Sequence, residues 1–153
     1  MAMRLLPPDF KDFLQILNQQ GARYMVVGGW ALGLHGWPRA TKNIDVWVAV
    51  DPDNEDRVKR ALDEFHAPGP IADDFFDNSV KNIYFMGLPP TKIEVISAID
   101  GVKFDECYSR AISVSIDEIE IQTMGLEDLK TNKRASGRIR GLADLEDLGE
   151  SLG

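Results

Sequence analysis

Phe10, Phe13, Leu14 and Leu17 fall at i, i+3, i+4 and i+7, the spacing that lines one face of a helix. Pro7 and Pro8 open this segment and Asp9 places an acid near its start, so a helix over 8–20 is predicted, closed by Gly21. Residues 24–27 are a β-branched and aromatic run that stops at Gly28-Gly29, the pattern of a buried strand meeting a tight turn. A short helix over 30–34 leaves that turn. Beyond the polar stretch 36–43, the run Ile44-Asp45-Val46-Trp47-Val48-Ala49-Val50 reads as a second strand, apolar enough to be covered on both faces. Asp51 and Pro52 then supply an N-cap and a first-turn proline for a helix whose inner face is Val58, Ala61, Leu62 and Phe65.

The later pattern is more broken. Residues 80–86 and 92–98 read as two strands around a turn at 87–90, and 119–123 as another, with Ile119 and Ile121 facing one side. The stretch 104–112 supports no single assignment. Two helical stretches, 126–133 and 142–148, follow, joined through Ser136-Gly137-Arg138. Helices at both ends and strands between them predict an α/β or α+β protein. At 153 residues the chain suits a single domain spanning 1–153, with a helical segment at 8–20, a core at 22–123 and a helical tail at 126–149.

Charge narrows the function classes. Lys and Arg total 17 against 25 Asp and Glu, a net charge of -8. Such a chain is a poor nonspecific coat for nucleic acid or membrane, both of which need a positive surface. The acidic segment 51–77, nine Asp/Glu against three Lys/Arg, reads as a solvated helix face. One cysteine, Cys107, allows no intrachain disulfide and no cysteine-based zinc site, and only His35 and His66 are left to complete an imidazole cage. Carboxylate sites for magnesium stay open. No apolar run approaches the roughly 20 residues that cross a bilayer, so a cytoplasmic protein without membrane contact is expected.

Several signatures are missing. There is no G-x-x-x-x-G-K-[ST] phosphate loop, no G-x-G-x-x-G fingerprint, no G-x-S-x-G elbow and no H-E-x-x-H helix. What the chain does carry is Gly28-Gly29-Trp30 followed by Asn43-Ile44-Asp45. Positions 43 and 45 share a strand face, so their acceptor oxygens can share a divalent cation. A glycine turn nearby can approach phosphate oxygens through bare backbone. A third acceptor is Glu94, the acid of the apolar run Lys92-Ile93-Glu94-Val95-Ile96, where burying a carboxylate is costly unless a metal or a base pairs with it.

These residues, with Arg39-x-Thr41 and the tail motifs Leu126-Glu127-Asp128-Leu129, 132–138 and Leu142-Ala143-Asp144-Leu145, resemble the minimal nucleotidyltransferases of the DNA polymerase beta superfamily. The branch they resemble most is that of bacterial abortive-infection and toxin–antitoxin modules. The resemblance runs from about residue 24 to 148. It implies a nucleotidyltransferase-like mixed β-sheet flanked by helices. It further implies a site in which Asn43, Asp45 and Glu94 act as metal-holding and catalytic residues for two magnesium ions that bridge a nucleoside triphosphate and activate an acceptor hydroxyl. Gly28, Gly29, Arg39, Thr41, Lys133 and Arg138 are the implied nucleotide contacts. Asn43 departs from the pattern, which has an acid there, and so removes one negative charge. Trp30 departs too, standing where many members have serine.

Five basic residues and no acid lie between 130 and 140: Lys130, Lys133, Arg134, Arg138 and Arg140. They read either as a solvated helix end, which favours cations, or as a contact for a triphosphate or polynucleotide. Arg39 and Lys42 offer the same choice beside the metal strand. His35 reads as a hydrogen-bonded helix-end residue, Trp47 as core and Cys107 as a small buried hydrophobe. Three functions are consistent with the chain: magnesium-dependent transfer of a nucleoside monophosphate to a hydroxyl of protein, RNA or a small molecule; a non-catalytic nucleotide- or partner-binding member weakened at Asn43; or an antitoxin-like interaction protein that meets a cognate partner through its surface.

Overall fold

A computed structural model describes residues 6–37, 43–77, 81–87 and 92–137. Helix α1, Pro8–Gln19, buries Phe10, Phe13, Leu14 and Leu17, and the chain turns at Gly21 with φ +69°. A side chain there would meet the Arg57 guanidinium. Strand β1, Tyr24–Val27, is buried along its whole length. It passes without a loop into α2, Gly28–Leu34, two residues earlier than the predicted helix start. Strand β2, Asn43–Val48, ends short of the predicted Val50 because Ala49 is drawn into the next cap. The Asn54 side chain donates to Ala49 O at 2.7 Å and Arg23 O at 3.1 Å. Helix α3, Pro52–Glu64, has the expected Asp51 cap, whose carboxylate accepts from Asn54 N at 3.0 Å.

Strands β3, Ile83–Met86, and β4, Lys92–Ile96, are shorter than predicted. Their ladder closes at Asn82 and Ser97, where Ser97 N donates to Asn82 O and Asn82 N donates to Ser97 Oγ. The unassigned stretch 104–112 divides into α4, Phe104–Ser109, and the start of an edge strand, β5, Ile112–Ile116. Strand β6, Ile119–Thr123, follows and buries Ile119 and Ile121 as expected. The β5–β6 turn is Asp117-Glu118, both at positive φ. Two-residue hairpin loops with positive φ at both positions favour Asn, Asp or Gly, so Glu118 leaves this turn, and β5 before it, without a clear sequence signal. Helix α5, Leu126–Ser136, runs one turn further than predicted and ends at Gly137 with φ +61°. The predicted helix at 142–148 lies outside the described residues.

The strands form one mixed sheet in the order β3-β4-β2-β1-β6-β5. Strands β2 and β4 are parallel neighbours, β1 and β2 antiparallel. Ile44, Val46, Val48, Ile93 and Val95 pack into the hydrophobic cluster with α1 and α3. Asn43, Asp45, Trp47, Lys92, Glu94 and Ile96 alternate with them on the opposite face. The protein is thus α+β, a six-stranded mixed sheet with five described helices. Among the described residues no helix is long and apolar enough to cross a membrane.

Candidate active site

The register of the sheet assembles the site. Asp45 is paired with Glu94 on β4 and with Val27 on β1, and Glu94 is paired in turn with Phe85 on β3. Phe85, Glu94, Asp45 and Val27 therefore form one row across four strands, each step about 4.8 Å. Below it lies the buried row Ile83–Ile96–Trp47–Met25, of which only Ile83 is exposed. Above it Asn43 is paired with Lys92. Asn43, Asp45 and Glu94 are all half-buried, and Phe85 is 56% exposed. The three acceptor side chains predicted to converge thus share one face, with the two acids side by side.

Gly28 backs this row. It has φ +69°, and a Cβ on it would come within 2.6 Å of Asp45 Oδ2. Glycine is required here twice over, by backbone conformation and by the closeness of the carboxylate. Asp45 Oδ1 is itself shielded from solvent. Trp30, in the first turn of α2, meets the Phe10 ring edge-on at 5.5 Å, which ties this position into the packing against α1. His35 Nε2 lies 2.8 Å from Met124 O, which holds the end of α2 to the β6–α5 connection. That is the helix-end role expected of it.

Among the described residues no three Asp, Glu, His or Cys side chains group as a metal site. Asp45, Glu94 and Asn43 nevertheless offer two carboxylates and one amide oxygen, hard donors that suit magnesium. Lys133 is half-buried on α5, which packs against α2. Asn132 anchors the same helix to Asp100 O at 2.8 Å. Arg39, Thr41, Lys42, Arg138 and Arg140 lie outside the described residues. Trp47 is core, its indole N–H donating to Ser97 O at 3.2 Å, and Cys107 is fully buried.

Two features of this face were not anticipated. Lys92 stands beside Asn43, a placement that the Lys-x-Glu alternation permits but that only the β2–β4 register creates. Phe85 stands beside Glu94 for the same reason.

No family model matches the chain, and no curated protein matches it in sequence. The fold is similar to the crystal structure of a Thermotoga maritima protein that carries the provisional name nucleotidyltransferase. The TM-score is 0.61 at 15% identity, over 96% of each chain. That likeness establishes a nucleotidyltransferase-like fold.

Proposed function

We propose that the protein is a magnesium-dependent nucleotidyltransferase that moves a nucleoside monophosphate from a triphosphate to a hydroxyl of a protein, an RNA or a small molecule. The observation that carries this reading is the Asp45–Glu94 pair, in register on a half-open sheet face with Gly28 against Asp45. Like charges directly opposed across strands destabilise a sheet, and a site for a cation gives that placement a purpose. Bound magnesium would supply charge that draws in the triphosphate oxygens and favours ionisation of the acceptor. Asp45 and Glu94 would hold it, with the Asn43 carbonyl oxygen as a neutral third ligand. Gly28 and Gly29 would border the phosphates, and Lys133, Arg39, Thr41 and Arg138 are the basic and hydroxyl groups assigned to contact them in this reading. The acceptor oxygen forms a bond to the α-phosphorus. The bond from that phosphorus to the bridging oxygen breaks, and pyrophosphate leaves with the electron pair. The acceptor proton passes to the Glu94 carboxylate and then to water.

The substitution at Asn43 favours a second reading, a nucleotide- or partner-binding member of a toxin–antitoxin pair that no longer transfers. Incubation with each α-labelled nucleoside triphosphate, magnesium and cell lysate separates the two. Transfer of label that disappears in Asp45→Asn and Glu94→Gln supports the enzyme. Nucleotide binding without transfer from any of the four supports the second reading.

A further inference from the structure

Asn43 and the cation beside it have a joint meaning. Lys92 is in register with Asn43 and two residues from Glu94 on the same sheet face. It is exposed, and its flexible four-carbon stem can carry the ammonium over the neighbouring row, where Asp45 and Glu94 stand. Where the family pattern brings a third negative charge, this chain places a neutral amide and, next to it, a positive charge.

We propose that this site holds a single divalent cation on Asp45 and Glu94, and that Lys92 takes the place of a second by presenting its ammonium to the triphosphate. The proposal rests on the nucleotidyltransferase reading and specifies how charge is apportioned within that site. With Asn43 neutral and Lys92 positive, these four side chains leave a local charge of only -1. One divalent cation already exceeds that. On the nucleotide-free site a second would face both the first cation and the ammonium, with no third carboxylate grouped there among the described residues to offset them. A lysine ammonium is a compact point charge that binds phosphate oxygens well, and it needs no further ligand from the sheet.

The test uses the full chain, with Mn2+ counted by the paramagnetic resonance of the free ion and a non-hydrolysable nucleoside triphosphate analogue titrated at saturating magnesium. Wild type is expected to take up one Mn2+. Lys92→Met should tighten Mn2+ about tenfold by removing a competing cation and weaken the analogue about tenfold by removing a phosphate contact. Lys92→Arg should keep both affinities close to wild type. The double variant Asn43→Asp with Lys92→Met should take up a second Mn2+. Two ions in wild type, or a silent Lys92→Met, overturns the proposal. Asp45→Asn keeps the two ideas apart. If it leaves Mn2+ affinity unchanged, the acid-pair site itself is wrong. If it abolishes Mn2+ binding while Lys92→Met is silent, only the lysine assignment falls.

Discussion

Two carboxylate sites among the described residues are built in different ways. At Asp128, in the first turn of α5, Arg110 donates through Nε and Nη2 to both carboxylate oxygens, each at 3.0 Å. The acid is nearly buried, its counter-charge is built in, and the N-terminal turn of the helix favours it further. At Asp45 the sheet instead sets a second acid, Glu94, directly alongside. The first cluster ties α5 to the segment after α4 and has the geometry of a structural clamp. The second keeps like charges adjacent on a half-open face. The Asp128–Arg110 pair is architecture, and the Asp45–Glu94 pair is where the proposed cation is assigned.

The largest expected effect tests the second cluster. Asp45→Asn should lower transfer at least about a thousandfold while leaving thermal stability unchanged or slightly higher, because it removes a like-charge pair worth roughly 0.2–1 kcal/mol. A marked drop in Tm would make Asp45 a structural acid like Asp128 and erase the contrast. Gly28→Ala should follow. It forces φ +69° on alanine, at about 1–2 kcal/mol, and drives a methyl against Asp45 Oδ2. Activity should fall with stability, and unchanged transfer would show that the close approach is unimportant.

The reverse pattern is expected at the first cluster. Arg110→Ala should lower Tm by about 5 °C with Mn2+ affinity intact, since it strands Asp128 without its partner. Loss of Mn2+ binding there would join the two clusters into one site.

The smallest effect is alkaline. Burial, and next the Asp128 charge, pushes the Cys107 thiol up from 9.0 to about 11. Burial likewise pushes Tyr24 from 10.0 to about 12. Each group ionises in the unfolded chain before it does so in the folded one, so its contribution is complete below the unfolded value and is lost as pH rises towards the folded value. Stability should therefore begin to fall near pH 9. In Cys107→Ala the onset should move towards pH 10, where Tyr24 takes over. Denaturant midpoints across pH 8–11 check this, and an unmoved onset would separate Cys107 from the alkaline limb.

Much of the molecule is legible in short windows of sequence. The face of α1, the Asp51 cap of α3, the inward Ile119 and Ile121, and the shared strand face of Asn43 and Asp45 all follow from periodicity and capping over a few residues. Glu94 was visible as an acid misplaced in an apolar run. Tertiary structure decided what stands beside what. Strand β5 has no clear signal in the sequence because its turn is Asp-Glu, and neither has buried Asn54, whose amide bonds two chain segments rather than a periodic face. Above all, the pairing of Asp45 with Glu94 and of Asn43 with Lys92 joins β2 to β4 across α3 and β3. Periodicity is a property of neighbours along the chain. Register between distant parallel strands is set by how the whole apolar face packs, since a slip of one residue would turn Ile93 and Val95 out of the core and Glu94 into it.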